Sequence, residues 1–279
     1  MSSTPQVTQV TLNNGVTMPQ LGFGVFQVPD DEAHAAVTSA LEAGYRSIDT
    51  AALYKNEKGT GQAIADSGLA REDVFVTTKL WNTEQGRDSA LRAFDASLDR
   101  LGMDYVDLYL IHWPVPSIDK YVETWQAFEE ILASGRARAI GVSNFLPEHL
   151  DRLAAETSTV PALNQIELHP RLQQSELRAY DAKHGIATEA WSPLGRGNGV
   201  LDDETVTAIA GKHGRSPAQI VLRWHLQLGN VVIPKSVTPA RIRENIAVFD
   251  FELDADDMTA LAGLETGERV GPDPAVLGI

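Results

Sequence analysis

The sequence predicts an α/β protein: a closed (β/α)8 barrel with an N-terminal β-hairpin and extra helices near the C-terminus. Three observations predict it. Eight short apolar, β-rich runs are each followed by a helical pattern, and alternation at that period builds a parallel sheet. The chain has 279 residues, near the ~250 typical of such a barrel. Nearly every apolar run ends on a polar or aromatic residue, where a barrel carries its site. Residues 1–279 read as one domain, with no linker, no low-complexity segment and no repeat of another kind.

The elements follow in order. Val7 to Leu12 alternates, then Asn13-Asn14-Gly15 and Val16 to Met18 follow. Asn-Gly between extended runs signals a hairpin ahead of the main fold. Gln20 to Gly24 is the first barrel strand and Asp30 to Leu41 its helix, with Asp30 and Asp31 at the helix start. Ser47 to Asp49 precedes a helix over Glu57 to Ser67, ended by Gly68. Val74 to Lys79 precedes a helix over Glu84 to Leu101, where Leu91, Phe94, Leu98 and Leu101 share one face and Gly102 stops it. Val106 to His112 precedes a helix bearing Tyr121, Trp125, Phe128 and Leu132. Ala137 to Ser143 precedes Pro147 to Ala155, and Ala162 to Glu167 precedes Gln174 to His184. After the strand Ala187 to Trp191 come two helices, Asp203 to His213 and Pro217 to Leu228. Ser216, Pro217 and Gln219 form a cap, a first-turn proline and a capping box. Val231 to Lys235 is the last strand, and Thr238-Pro239 opens its helix by the same cap-plus-proline logic. Asp254 caps a short helix through Leu261, and the tail from Val270 is irregular.

A doubly wound sheet is the rival fold. It would want Gly-x-Gly-x-x-Gly after its first strand. Gly22-Phe23-Gly24 runs on to Val25-Phe26-Gln27, which breaks that pattern, and Gly59-Thr60-Gly61 does not follow a strand.

Composition narrows the function. A net charge of −15 disfavours nucleic acid and anionic membrane partners. The chain has no cysteine, which excludes disulfides, thiolate metal sites and cysteine nucleophiles. No apolar run approaches the ~20 residues that span a bilayer, and Met1 to Leu12 lacks a signal-peptide pattern. The expectation is a cytoplasmic protein. No histidine and carboxylate cluster has metal spacing, so no metal is expected.

The strand ends carry the chemistry: Gly24-Val25-Phe26, Asp49, Lys79-Leu80-Trp81, His112-Trp113, Ser143-Asn144, Gln165-Ile166-Glu167, Trp191-Ser192 and Lys235-Ser236. Any one strand must end in something polar, but here nearly every one of the eight ends on a polar or aromatic residue. Tyrosine alone, with a pKa of about 10, is a poor acid at neutral pH. An ammonium beside Tyr54 lowers that value. Lys79 supplies the ammonium, Asp49 holds it, and His112 orients a carbonyl oxygen. Together they protonate an oxygen that is becoming an alkoxide, as when hydride adds to a ketone or aldehyde. Taken singly, the same residues read as a structural ion pair, a packed loop aromatic and a satisfied rim histidine.

Hydride needs a donor, and a nicotinamide cofactor suits these residues. Ser143, Asn144 and Gln165 can hydrogen-bond its carboxamide, and Trp191 can stack on its ring. Lys235-Ser236-Val237-Thr238 and Arg241 sit where a strand enters a helix N-terminus, which favours an anion. A 2′-phosphate fits there, so NADPH is favoured over NADH. The competing reading pairs Arg241 and Arg243 with Glu244 on a solvated helix face.

Several motifs resemble the aldo-keto reductases from end to end. They are Gly44-Tyr45-Arg46-Ser47-Ile48-Asp49-Thr50-Ala51 with Tyr54 and Asn56-Glu57, then Thr78-Lys79-Leu80-Trp81. Leu101-Gly102, Asp107-Leu108, Ile111-His112-Trp113-Pro114 and Gly141-Val142-Ser143-Asn144-Phe145 follow. Asn164-Gln165-Ile166-Glu167, Trp191-Ser192-Pro193-Leu194-Gly195 and Ile233-Pro234-Lys235-Ser236 complete the set. The resemblance implies an NADPH-dependent carbonyl reductase with Tyr54 as general acid, Lys79 and Asp49 as its tuning pair, and His112 orienting the carbonyl. It places Val25, Ser143, Asn144, Gln165, Trp191, Ser192, Leu194 and Gly195 on the cofactor. It places Lys235, Ser236, Val237 and Arg241 on the 2′-phosphate, and Glu244 and Asn245 on the adenine. Phe26, Trp81, His112 and Trp113 become the substrate walls. Phe26 replaces the tryptophan of many animal members, and the loop Arg196-Gly197-Asn198-Gly199 and the segment after Glu268 are short. These features resemble the bacterial 2,5-diketo-D-gluconate reductase subgroup. The resemblance implies a monomer acting on small carbonyls, α-dicarbonyls or keto-sugars. Two other functions remain in view: a redox sensor that binds NADPH and turns over little, and a barrel glycosidase built on Asp49 and Glu167.

Overall fold

The computed structural model describes residues 7–277. Eight parallel strands run in chain order around one sheet: β3 (Phe23–Gly24), β4 (Ser47–Asp49), β5 (Phe75–Leu80), β6 (Val106–Ile111), β7 (Ala137–Ser143), β8 (Leu163–Glu167), β9 (Ala187–Trp191) and β10 (Val231–Val232). The edges meet through a parallel bridge from Leu21 to Val232. Gly22 N–H donates to Val232 O at 2.9 Å, and Gly24 N–H to Pro234 O at 3.1 Å. The expected (β/α)8 barrel is thus the observed fold.

The two closing strands are shorter than the sequence predicts. The ladder on the β10 side stops because Pro234 has no N–H to donate. On the β3 side, Gln20 turns its side-chain amide to Leu226 O and Asn230 O, both at 3.0 Å.

The helices cover the barrel: α1 (Asp30–Ala43), α2 (Glu57–Asp66), α3 (Arg87–Leu101), α4 (Tyr121–Ala133), α5 (Pro147–Glu156), α6 (Ser175–Lys183), α7 (Glu204–His213), α8 (Pro217–Gln227), α9 (Pro239–Ile246) and α10 (Ala255–Ala262). The caps at Ser216 and Asp254 form as expected, each side chain accepting the backbone N–H three residues on. Two expectations need correction. The helix expected from Glu84 starts only at Arg87, because Gly86 takes φ +117° and donates its N–H to Thr124 Oγ1 at 2.8 Å. Thr238 does not cap α9 through its side chain; its N–H is taken by Ser236 Oγ at 3.1 Å.

Gly59-Thr60-Gly61, which could be mistaken for a dinucleotide loop, has a packing role. A Cβ on Gly61 would lie 2.0 Å from Leu101 O, and one on Gly59 2.4 Å from Asp30 O. Both glycines let α2 pack against backbone.

The hairpin of β1 (Gln9–Thr11) and β2 (Thr17–Pro19) turns at Gly15, at φ +86°. Its Leu12 and Met18 pack on Phe75, Leu108, Leu110, Leu163 and Val231. These barrel residues lie on the strands' interior, so the hairpin plugs one barrel end and leaves the C-terminal end open. No helix among the described residues is long and apolar enough to cross a membrane.

Candidate active site

The open end holds a cavity of about 580 Å³. Phe26, Asp49, Tyr54, Trp81, His112 and Trp113 line one part of it. Ser143, Asn144, Gln165, Trp191, Ser192, Leu194 and Lys235 line the rest. The predicted site residues therefore converge from seven of the eight strand ends and the loop that follows the remaining one, β10. Lys79 lies beneath them, fully buried.

Parity explains the convergence. Alternate residues of a strand face the barrel interior, so the last inward residue of each strand meets the mouth. Lys79 Nζ donates to Asp49 Oδ1 at 2.6 Å and to Thr50 O at 2.9 Å. It stands 3.5 Å from Tyr54 Oη, at the outer limit of a hydrogen bond. Burial opposes the charge on Lys79, but Asp49 and Tyr54 outweigh it and keep the amine's pKa above its ordinary value.

Tyr54 departs from the sequence expectation. Burial raises its phenol pKa, Lys79 lowers it, and the net direction is upward. The lysine moderates the phenol without making it more acidic than an ordinary tyrosine. Tyr54 consequently keeps its proton at neutral pH. Its ring is held by Phe26, centroids 5.0 Å apart, and by an edge contact with His112 at 5.7 Å.

Burial, then the charge of Lys79, pushes the pKa of His112 well below the usual histidine range, so the ring is neutral. Its Nδ1 is buried without a partner. An orphaned buried N–H is rarer than an orphaned lone pair, so the proton belongs on Nε2. That tautomer makes His112 a hydrogen-bond donor to a carbonyl oxygen.

Ser143, Asn144 and Gln165 form one network. Ser143 Oγ donates to Gln165 O at 2.8 Å, and Asn144 Nδ2 donates to Ser143 Oγ and His112 O. Asn144 Oδ1 accepts from Trp191 Nε1 at 2.8 Å. Non-glycine residues with positive φ concentrate here: Gln27, Asn144, Ser192 and Arg196 all line the cavity. Such conformations cost ~1–3 kcal/mol each and gather at functional sites.

Other predicted residues lie apart from the cavity. Val25 packs its side chain into the core, and Gly24 stands at the cavity wall in its place. Ser236, Val237, Arg241, Glu244 and Asn245 sit along the entry to α9 and on that helix, outside the lining. Among the described residues neither Lys235 nor Arg241 forms an ion pair. Glu244 instead accepts from Ser216 Oγ at 2.5 Å, so it does not neutralise Arg241 or Arg243 as the solvated-face reading requires. The Lys235 and Arg241 charges remain available to an anion.

The sequence reading missed three contributors. Glu189, buried at 1% exposure, accepts from Gln165 Nε2 at 2.7 Å. It stands two residues before Trp191, so strand parity alone could have placed it inside the barrel. Asn56, fully buried, donates to Val25 O and Val28 O and accepts from Thr50 Oγ1. It ties the loop of Phe26 to the loop of Tyr54. The third is the C-terminal tail, whose Pro272 and Leu277 wall the cavity.

Glu167 fastens that tail. It accepts the N–H of Val270 at 2.6 Å and of Gly271 at 3.0 Å, and it pairs with His169 at 3.1 Å. Burial opposes ionisation, but His169 and the two backbone donors hold the carboxyl's pKa below its usual value. Charge-assisted hydrogen bonds of this kind are worth ~1.5–3 kcal/mol. Replacing Glu167 by alanine is therefore expected to free residues 270–277, accelerating their amide hydrogen exchange and raising KM for the carbonyl substrate severalfold. Unchanged exchange in the tail would contradict the tether. The same contacts count against a glycosidase, because Glu167 is committed to the tail and Asp49 to Lys79.

Residues 20–266 match the Aldo/keto reductase family. The chain belongs to that family. The aldo-keto reductase of Mycolicibacterium smegmatis is 61% identical over 95% of this chain and 96% of its own length. Methylglyoxal reductase DkgA of Escherichia coli is 52% identical over 97% of this chain and 98% of its own. Among solved structures, a variant of Gox0644 in complex with NADPH superposes with a TM-score of 0.94 at 51% identity, over 98% of this chain and 100% of that one. As an aldo/keto reductase the chain is an NADPH-dependent oxidoreductase acting on carbonyl compounds.

The residues present fit that cofactor. Gln165 Oε1 has no partner among the described residues and belongs to a cavity-lining side chain. Lys235 and Arg241, without an ion pair among the described residues, supply positive charge beside a helix N-terminus in a chain of net charge −15.

Proposed function

We propose that this aldo/keto reductase reduces small aldehydes, ketones and α-dicarbonyls to alcohols, with Tyr54 as the general acid. The observation that carries the reading is the contact chain Asp49–Lys79–Tyr54 beneath a cavity that His112 also faces. Bound NADPH would supply the hydride that adds to the carbonyl carbon. Neutral His112 donates from Nε2 to the carbonyl oxygen and aligns it toward Tyr54. The phenol of Tyr54 gives its proton to that oxygen as charge develops on it, and the Lys79 ammonium stabilises the phenolate left behind. Asp49 keeps Lys79 charged and in place. The phenolate then regains its proton from solvent.

Phe26, Trp81 and Trp113 form apolar walls, and the cavity suits compact substrates. Ser143, Asn144 and Gln165 would hold the carboxamide, and Trp191 would cover the nicotinamide. Ser192, Leu194 and Gly195 would take the pyrophosphate, Lys235, Ser236, Val237 and Arg241 the 2′-phosphate, and Glu244 and Asn245 the adenine. The similarity to methylglyoxal reductase DkgA supports α-dicarbonyls as the first substrates to try, with keto-sugars next. With the reading goes a cytoplasmic monomer that binds neither nucleic acid nor membrane; the net charge of −15 supports the last two points.

The test follows NADPH oxidation at ~340 nm with methylglyoxal and phenylglyoxal, and with NADH in parallel. Turnover with NADPH is expected, with NADH much slower. One lost charge-assisted contact of ~1.5–3 kcal/mol makes Arg241→Ala raise KM for NADPH by at least tenfold, at an unchanged KM for NADH. Bound NADPH without turnover on any carbonyl would replace this reading with that of a redox sensor.

A further inference from the structure

Beneath the cavity floor two carboxylates share one amide. Gln165 Nε2 donates to Asp49 Oδ2 at 2.9 Å and to Glu189 Oε2 at 2.7 Å. The three residues come from β4, β8 and β9, and Gln165 and Glu189 are register partners. A primary amide has two N–H groups, so both are used. The amide cannot be reversed, because that would set Gln165 Oε1 against the Asp49 carboxylate. Only Oε1 remains for a ligand. Nothing in the reaction requires Glu189, and burying a carboxyl costs stability that only its hydrogen-bond partners offset, so its place beneath the site points to a task.

We propose that Glu189 is a positioning residue for the cofactor: with Asp49 it occupies both N–H groups of Gln165, so that Gln165 can only accept a hydrogen bond, from the N–H of the nicotinamide carboxamide. The proposal rests on the reading of Gln165 as a carboxamide contact. It would leave Gln165 Oε1 as the acceptor for the carboxamide nitrogen, since the Ser143 hydroxyl and both N–H groups of Asn144 already donate to protein acceptors. Held there, the carboxamide would fix the ring's rotation about its glycosidic bond, and hence which face of the ring meets the carbonyl substrate.

The electrostatics agree. Burial, then the charge of Asp49, pushes the pKa of Glu189 up to about 8. The shift favours the protonated carboxyl, whose carbonyl oxygen still accepts from Gln165. Neutral Glu189 avoids a second negative charge beside the single ammonium of Lys79. Glutamine at this position would be a close mimic, whereas alanine or leucine would remove the acceptor. Rotation of the Gln165 amide could then keep one N–H on Asp49 and present the other to the cavity.

The experiment compares binding of NADPH with its reduced 3-acetylpyridine analogue, read by quenching of tryptophan fluorescence. The analogue's acetyl group keeps the carbonyl acceptor and lacks the N–H. Wild type is expected to bind the analogue about tenfold more weakly, the equivalent of one hydrogen bond. Glu189→Ala and Glu189→Leu are expected to shrink that ratio to within about twofold, and Glu189→Gln to retain it. A merely structural role would weaken both ligands alike and leave the ratio unmoved. An unchanged ratio in the apolar variants, or a lost ratio in Glu189→Gln, overturns the role of Glu189 and leaves the Gln165 contact standing. Equal affinities in wild type overturn the Gln165 contact and the proposal together. The wild-type ratio reads the orientation without any substitution, so the test does not hinge on an apolar variant folding.

Discussion

Replacing Tyr54 by phenylalanine is expected to lower the rate of carbonyl reduction by about 10²–10⁴-fold, the range a positioned general acid supplies. NADPH affinity is expected to stay near wild type. Phenylalanine keeps the ring that packs on Phe26 and His112. Lys79 keeps its stronger partners, Asp49 and Thr50 O. Only the proton donor is lost, so kcat should fall with little change in thermal stability. The pH profile provides an independent reading. The acid must be protonated to act, and burial keeps the Tyr54 pKa above its ordinary value of about 10. Reduction should therefore not be lost to phenol ionisation in the neutral range, and should fall only as that group ionises at high pH. Stopped-flow turnover of NADPH with methylglyoxal checks both. Wild-type hydride transfer in Tyr54→Phe would end the role of Tyr54.

The second large effect concerns Lys79. Lys79→Met removes the ammonium from a buried pair and leaves Asp49, at 3% exposure, beside Glu189 with no cation. Breaking a buried pair from one side costs about 3–5 kcal/mol. The variant is expected to lose stability by that amount in urea unfolding, and also to lose its activity. The double variant Lys79→Met, Asp49→Leu separates the two effects. Apolar replacement of both partners of a buried pair is often neutral, so most of the stability should return while activity does not. Activity regained in the double variant would show that the pair serves the fold rather than the chemistry.

Much of this was legible in the sequence because it depends on local rules. Strand parity placed Asp49, Lys79, His112, Ser143, Gln165 and Trp191 facing inward, and helical spacing placed Phe94 and Leu98 in the core. Proline and glycine marked helix ends, and the capping box at Ser216 formed as written. Where a local rule met a distant partner, the reading failed. Gly86 delayed the start of α3 because Thr124, on α4, takes its N–H. Tyr54 looked like an acidified phenol until the burial of its hydroxyl was weighed against Lys79. Glu189 passed as one polar residue in an apolar strand. The tail from Val270 looked irregular, and it is; its place as a cavity wall depends on Glu167, more than a hundred residues earlier in the chain.

The sequence by itself determined the order of strands and helices, the family, and which side chains stand at the mouth of the barrel. Those depend on periods of two and about 3.6 residues and on motifs a few residues long. The tertiary structure alone decided which of those groups touch. Gln165 reaches Asp49 across the barrel and Glu189 on the neighbouring strand, at sequence separations of 116 and 24 residues. Such contacts depend on the register of eight strands and on closure between Leu21 and Val232. The same closure removes water from Lys79 and Glu189, and their proton affinities are set by that burial as much as by their neighbours.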